Sequence, residues 1–203
     1  MTDNRSAVAE IKMRVSDPTA LGVFGLAMVT LVASPYKIGW IHGNTYAIAW
    51  AVVLGSLAQL WAASMDFRNN NYFGSIVLGV YGLFWMAVAC VWMFDLFAKD
   101  GRVPQQMGFA YIGYLVFSLF VTVAALEANR VFAAILVLID VLFICLALAA
   151  FGVAKSGFTI AAGYAEFAIG LLGLYATGAI FLNNFFGRVI VPIGKPFGFI
   201  KKS

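Results

Sequence analysis

The chain has 203 residues, of which 63% are hydrophobic and 11% are charged, and its formal net charge is +4. A soluble domain of this length needs a more polar surface, so the composition excludes an ordinary soluble fold and indicates that the lipid bilayer is the solvent. The C-terminal stretch 195–202 is basic but short and apolar, which argues against a nucleic-acid partner.

Six apolar blocks are long enough to be membrane-spanning helices, since a helix needs about 20 mostly apolar residues to cross the hydrocarbon core. Their apolar runs are continuous and do not alternate, which argues against a transmembrane barrel. We therefore predict an all-α integral membrane protein with six transmembrane helices per subunit in one bundle. The predicted spans are 19–34, 45–65, 73–96, 108–126, 132–154 and 158–181. The first span is short, with Pro18 and Pro35 at its two ends.

The predicted organisation is an N-terminal segment 1–18, a six-helix transmembrane domain 19–186 and a basic C-terminal tail 187–203. Six spans place both termini on one side of the membrane. That side carries nine of the 13 Lys and Arg residues and the other side carries Lys37, Lys99, Arg102 and Lys155. The positive-inside rule then predicts a multi-pass protein of the plasma (inner) membrane with both termini in the cytoplasm.

Residues suited to catalysis or metal binding are scarce. The chain has two cysteines, Cys90 and Cys145, both inside predicted spans, and a single histidine, His42, in a predicted loop. This pattern argues against a Cys/His metal site and leaves almost nothing for a Ser/His/Asp triad. The sequence also has no glycine-rich phosphate-binding loop. We predict no enzyme activity, no cofactor and no metal.

Polar and small residues lie at the start of the first predicted span and inside the second, where they could line a transport path. Asp17 and Pro18 precede the first span, followed by Leu21 and Gly22. Asp before Pro at a helix start is typical of an ordinary N-cap, and the alternative is a pore mouth. Gln59 lies deep in the second span, where a buried amide must find partners, so it is either an interhelical clamp or a pore-lining group.

The remaining polar candidates lie further along the chain. Asn71 opens the third span, and Tyr81 within it is either a core aromatic with a satisfied hydroxyl or a path residue. Asp140 and Glu166 are possible titrating groups inside spans, where charge is costly. Neither has an obvious Lys or Arg partner at similar depth, so they are expected to be neutral, water-facing or hydrogen-bonded. They belong either to a conduction path or to subunit contacts. Glu166 lies seven residues before Gly173 and is the better candidate for facing a path.

Three groups of motifs carry a family resemblance. They are DPTALG at 17–22; GSLAQ at 55–59 with NYFG at 71–74 and YGLFW at 81–85; and FGR at 186–188 with PIG at 192–194. In this order, on a chain of this length, they resemble the acetate uptake transporter family of the succinate–acetate permease type. The resemblance covers nearly the whole chain.

The resemblance implies a homohexameric ring in which each six-helix subunit has its own path for acetate and related small carboxylates such as succinate. It implies an apolar constriction at Leu26, Tyr81 and Ile139, with Gly173 at a position linked to substrate choice. Leu26 stands where the family has an aromatic residue, and Asp17 where it has Asn.

General chemistry adds the donors that could hold a carboxylate in this path. Tyr81, Gln59, Asn71 and the backbone amides after Pro18 are candidates, because neutral donors bind weakly enough to release an ion. A protonated acid avoids the cost of burying charge, so uptake is expected to rise as pH falls, with protons as possible partners. Two alternatives stay open. One is a channel for a neutral small solute such as urea, an amide or an undissociated weak acid, and the other is a membrane scaffold or sensor that transports nothing.

Overall fold

The computed structural model describes residues 16–97 and 102–200, and throughout these ranges the regular structure is helical. Six of the helices it describes are long and apolar enough to cross a membrane, and each predicted span overlaps one of them. They are α1 (Thr19–Ile38), α2 (Ala47–Arg68), α3 (Tyr72–Phe97), α4 (Pro104–Leu126), α5 (Arg130–Ala150) and α6 (Lys155–Phe186). The prediction of an all-α, six-span membrane protein is confirmed.

Helix α1 does not end before Pro35, as the sequence predicted, but continues to Ile38. Proline lacks the N–H that would bond to the carbonyl four residues earlier, here Leu31. The Ser34 hydroxyl donates to that carbonyl at 3.3 Å, so the group is satisfied by a side chain. The predicted end at residue 34 is therefore wrong, and Lys37 lies on the helix rather than in a loop.

The other helix ends differ from prediction by a few residues. Helix α5 begins at Arg130, because the Asn129 side chain accepts a hydrogen bond from the Phe132 amide at 2.9 Å and caps the first turn. It ends at Ala150, before the predicted residue 154, and Gly152 in the following turn has a left-handed φ of 85°. Helix α6 runs on to Phe186, past the predicted end at 181.

Helices α1 and α6 form the most extensive contact in the bundle. Small residues of α6 allow the approach: a Cβ added at Gly173 would lie 2.8 Å from the Ala27 Cβ, and one added at Gly170 would lie 3.0 Å from Leu31. Close helix packing on glycine faces is typical of membrane bundles. Helix α4 packs mainly on α5 and is the least buried of the described spans.

Both ends of the described chain lie at the same end of the bundle, which we call the proximal end. There the Asn184 side chain donates to an Asp17 carboxylate oxygen at 3.0 Å. The chain after α6 returns to the α4–α5 turn, where Glu127 accepts from the amides of Phe199 and Ile200 at 2.7 and 3.0 Å. We call the opposite end distal. Parts of the two terminal segments, 1–15 and 201–203, and Lys99 lie outside the described residues.

Candidate functional site

A small cavity of about 100 Å³ runs into the bundle from its proximal end, and we call it the proximal cavity. Its walls come from α1, α2, α3 and α5 and include Thr19 and Phe132 in the first turns of α1 and α5. On α1 and α5 the lining extends seven residues deeper, from 19 to 26 and from 132 to 139, and on α3 it extends eight residues, from 73 to 81. At a rise of 1.5 Å per residue, that is a depth of about 10 Å.

Leu26, Tyr81 and Ile139 all line this cavity, each at the deepest position of its own helix. The structure thus brings together three side chains that are widely separated in sequence. The Tyr81 hydroxyl donates to the Ser118 hydroxyl of α4 at 3.0 Å, and both side chains are buried. Tyr81 is therefore anchored, and its hydroxyl proton already has an acceptor.

Gln59 is fully buried and also lines the proximal cavity. It directly follows a π-helical stretch, Ala51–Ala58, and π-helical turns are common at functional sites. Its amide nitrogen donates to the Gly55 carbonyl at 2.7 Å, whereas its amide oxygen has no hydrogen-bond partner. Gln59 therefore has an unused acceptor in a side chain that lines the cavity.

Asn71 lines the cavity mouth and is held from two sides. Its amide nitrogen donates to a carboxylate oxygen of Asp66 at 3.0 Å, and its amide oxygen accepts from the Gly74 backbone N–H at 3.2 Å. A Cβ at position 74 would collide with the Asp66 carboxylate, so only glycine fits there. Asp66 is buried, and it was not among the site residues predicted from the sequence, although it stands between the motif residues Gln59 and Asn71.

The residues predicted for a pore mouth, 17–22, make the hydrogen bonds of a helix cap at the start of α1. The two carboxylate oxygens of Asp17 accept from the Thr19 backbone N–H at 2.9 Å and from the Asn184 side chain, and the Pro18 carbonyl accepts from the amides of Leu21 and Gly22. Leu21 is exposed, and Gly22 packs against Leu78. None of these four predicted mouth residues is among the described residues that line the proximal cavity, although Thr19 is.

Glu166 has a charged partner, and the expectation that it has none is wrong. The Lys37 ammonium lies 2.8 Å from a Glu166 carboxylate oxygen, with side-chain exposures of 14% and 2%. The ammonium also lies 5.7 Å from the centroid of the Trp92 ring. The pair was missed because Pro35 was taken as a helix end. A helix continued through Pro35 places Lys37 at membrane depth, where it needs a partner.

The other two predicted residues are held by neighbouring helices. The Thr122 hydroxyl of α4 donates to one carboxylate oxygen of Asp140 at 2.7 Å, while the other oxygen has no hydrogen-bond partner. Gly173 packs against Ala27, the neighbour of Leu26, and is not among the described residues lining the proximal cavity. It lies behind the wall that Leu26 forms.

A second, larger cavity of about 430 Å³ lies at the distal end, and we call it the distal pocket. Its walls include Trp92 and Tyr111 together with the charged residues Asp95, Arg102 and Lys155. Arg102 and Asp95 form an exposed ion pair, with 3.3 Å between Nε and a carboxylate oxygen. The distal pocket is therefore wide and charged where the proximal cavity is narrow and neutral.

The sequence of the chain is similar to those of a known protein family. The sequence matches the GPR1/FUN34/yaaH family over residues 3–193. It is 29% identical over 185 residues to the succinate-acetate/proton symporter SatP of Escherichia coli K12, and the aligned region covers 90% of this chain and 97% of that protein. It is 26% identical over 209 residues to the glyoxylate pathway regulator of Yarrowia lipolytica, covering 100% of this chain and 77% of that protein.

A solved structure shares the fold. The bacterial acetate channel SatP superposes with a TM-score of 0.83 at 26% identity, covering 89% of this chain and all of that one. The family resemblance drawn from the sequence motifs is thereby confirmed, together with the six-helix membrane architecture.

Proposed function

The chain belongs to the GPR1/FUN34/yaaH family, and on that premise we propose that it is a transporter or channel for acetate and related small carboxylates, including succinate. The relatives named above are a succinate-acetate/proton symporter and an acetate channel. Both names describe passage of a small acid across a membrane, which fits a chain with six membrane-length helices.

The observation that carries this proposal is the lining of the proximal cavity. At about 100 Å³ it is far smaller than the roughly 300–1,000 Å³ of a drug-sized ligand pocket, so its occupant must be small. Its walls are mostly apolar, which suits a methyl group, and its polar groups include the amides of Gln59 and Asn71. The described lining residues include no Lys, Arg, Asp or Glu, so a bound acid meets no fixed charge.

A neutral lining favours the undissociated acid over the anion, because burying an unpaired charge is costly. The unused oxygen of Gln59 is an acceptor, and a protonated carboxyl group is the form that supplies a donor to it. We therefore propose that flux is favoured at low pH, with protons crossing together with the carboxylate. Leu26, Tyr81 and Ile139 would form the constriction, and Gly173 would set its width by fixing the position of α1.

The same proposal includes membrane orientation and assembly. The proximal end would face the cytoplasm of the plasma membrane, because the basic residues Arg68, Arg130, Arg188 and Lys195 lie there. The chain would assemble as a homohexamer. Helix α4 is poorly buried within one subunit and exposes Phe109, Val116 and Phe120, an apolar face available to another subunit or to lipid.

Flux through proteoliposomes tests the function directly. Purified protein should pass labelled acetate and, more slowly, succinate, and both fluxes should rise when the external pH is lowered. Empty liposomes give the background for the undissociated acid. Flux of urea without acetate would favour the neutral-solute channel, which the uncharged cavity also fits. Absence of flux for all three solutes would favour a scaffold or sensor. Native mass spectrometry in mild detergent checks assembly, and a spectrum with monomers alone would contradict the hexamer.

A further inference from the structure

The proximal cavity and the distal pocket lie in line along the same two helices. On α3 the proximal lining ends at Tyr81 and the distal lining begins at Val88, and on α5 the corresponding residues are Ile139 and Leu146. The two linings are seven positions apart on each helix, which is about 10 Å along the axis. A solute that leaves the deep end of the proximal cavity must cross this 10 Å segment to reach the distal pocket.

Aromatic rings fill the segment, with Phe143 at their centre. Phe143 is 1% exposed and packs against four other rings. Its ring centroid lies 6.4 Å from that of Tyr81, which lines the proximal cavity, and 6.4 Å from that of Tyr111, which lines the distal pocket. The Phe84 ring meets it edge-on at 5.3 Å and that of Tyr114 lies at 5.8 Å. We call these five rings the aromatic layer.

We propose that Phe143 is a second, size-selecting barrier of the path, distinct from the constriction at Leu26, Tyr81 and Ile139. This inference rests on the proposed function, because it concerns the path of the transported solute. A close-packed layer of rings leaves no room for a solute unless a ring turns aside. An apolar constriction of this kind also excludes water until a solute fills it.

The position of Phe143 makes its ring the one that must move. Tyr81 is fixed by its hydrogen bond to Ser118, and the Tyr114 hydroxyl lies 3.4 Å from the Val80 carbonyl. Phe143 has no polar group to tether it, and it is the one residue of the layer in ring contact with both the Tyr81 of the proximal cavity and the Tyr111 of the distal pocket. Passage of larger acids should therefore depend most strongly on the size of residue 143.

The test compares Phe143→Leu with Phe109→Leu in proteoliposomes. Phe109 is a matched control, because it lies on the exposed face of α4, 70% exposed, in contact with Phe151. Flux is measured for acetate, butyrate and benzoate, and for urea and phenylurea. Phe143→Leu should raise the benzoate-to-acetate flux ratio about tenfold, which corresponds to a barrier lower by about 1.4 kcal/mol. Phe109→Leu should leave that ratio unchanged.

Two further variants keep the proposal open to refutation. Phe84→Leu removes the neighbouring ring and leaves residue 143 unchanged, so it should raise the benzoate-to-acetate flux ratio by a smaller factor. This variant replaces Phe143→Leu in the test if size-exclusion chromatography shows that Phe143→Leu does not fold. If the two barriers act in series, the double variant Leu26→Ala/Phe143→Leu should exceed both single variants. The proposal is overturned if folded Phe143→Leu has the same benzoate-to-acetate flux ratio as the parent protein. If Phe143→Leu does not fold, the same result in folded Phe84→Leu overturns it.

If the proposed transport of acids is wrong but the aromatic layer is a barrier, the experiment gives a different set of fluxes. If the parent passes urea but no acid, acetate is the wrong substrate. A phenylurea-to-urea ratio that rises in Phe143→Leu, but not in Phe109→Leu, would still support the aromatic layer as a barrier, and an unchanged ratio would refute it.

Discussion

The proximal and distal halves of the bundle place charge differently. The proximal cavity is narrow and lined by apolar side chains and amides, whereas the distal pocket carries Asp95, Arg102 and Lys155. The buried pair of Lys37 and Glu166 also lies in the distal half, next to Trp92 of the pocket wall. A solute that enters from the distal side thus meets a wide, charged pocket before the uncharged part of the path.

This difference separates two tasks that a transport protein must perform. Charged groups near water attract ions at little cost, because water screens them. Deep in the membrane the same charges would bind an ion too tightly or repel it, so weak neutral donors are better suited to release. We infer that the distal half collects the solute and the proximal half selects it.

The largest expected effect is on the buried ion pair. Lys37→Met leaves the Glu166 carboxylate, 2% exposed, without a charged partner, and we expect it to lower the free energy of unfolding by about 3 kcal/mol. The double variant Lys37→Met/Glu166→Gln should recover most of that loss, because it leaves no unpaired charge. The measurement is SDS-induced unfolding in mixed micelles.

The exposed pair of Arg102 and Asp95 provides the control for this prediction. Its side chains are 56% and 45% exposed, so Arg102→Met should change the unfolding midpoint much less. Glu166 lines neither cavity, so Glu166→Gln should keep acetate flux and its pH profile. A flattened pH profile in that variant would instead make Glu166 a titrating group of the path.

The second prediction places the same substitution in each half. Gln59→Glu introduces a carboxylate into the neutral cavity and should reduce acetate flux at neutral pH by at least about tenfold. The carboxylate would hold an undissociated acid through a charge-assisted hydrogen bond, roughly twice as strong as a neutral one, which slows its release. It would repel an anion 4 Å away by about 4 kcal/mol at an effective dielectric constant of about 20. Gln105→Glu adds the same group to the charged distal pocket and should change the flux little. Equal losses in the two variants would contradict the division of tasks.

The fold was predictable because the bilayer imposes one rule on every span: backbone groups must be satisfied within a helix, and the helix must be long and apolar. At Pro35 this rule does not determine where the helix ends. Whether proline ends a membrane helix depends on a local donor such as the Ser34 hydroxyl, and that contact is not visible in apolar periodicity. The error at this one residue hid Lys37 and, with it, the partner of Glu166.

The site was less predictable than the fold. The family motifs indicated Leu26, Tyr81 and Ile139, which line one cavity, but its depth and its uncharged lining follow only from packing. Phe143 has no sequence signal of its own, because an aromatic residue in an apolar span is unremarkable. Its position between two cavities depends on helices α3, α4 and α5 meeting at the same level.

The smallest expected effect is at Asp140, which lies at the boundary between the two halves, next to Ile139 and three residues before Phe143. Its carboxylate accepts from Thr122 of α4, so it ties the least buried of the described spans to the bundle. Asp140→Asn keeps an oxygen that can accept this bond, and we expect a loss of at most about 1 kcal/mol of unfolding free energy.

Thr122→Val should cost a similar amount, and the double variant should cost no more than either single change, since all three affect the same bond. Acetate flux should persist in Asp140→Asn, while the share of the proposed hexamer in native mass spectra should fall slightly as α4 loosens. A shift in the acidic limb of the flux profile, with assembly intact, would instead show that Asp140 faces the path. The proximal cavity would then have a charged group at its deep end, and it would no longer differ from the distal pocket in charge.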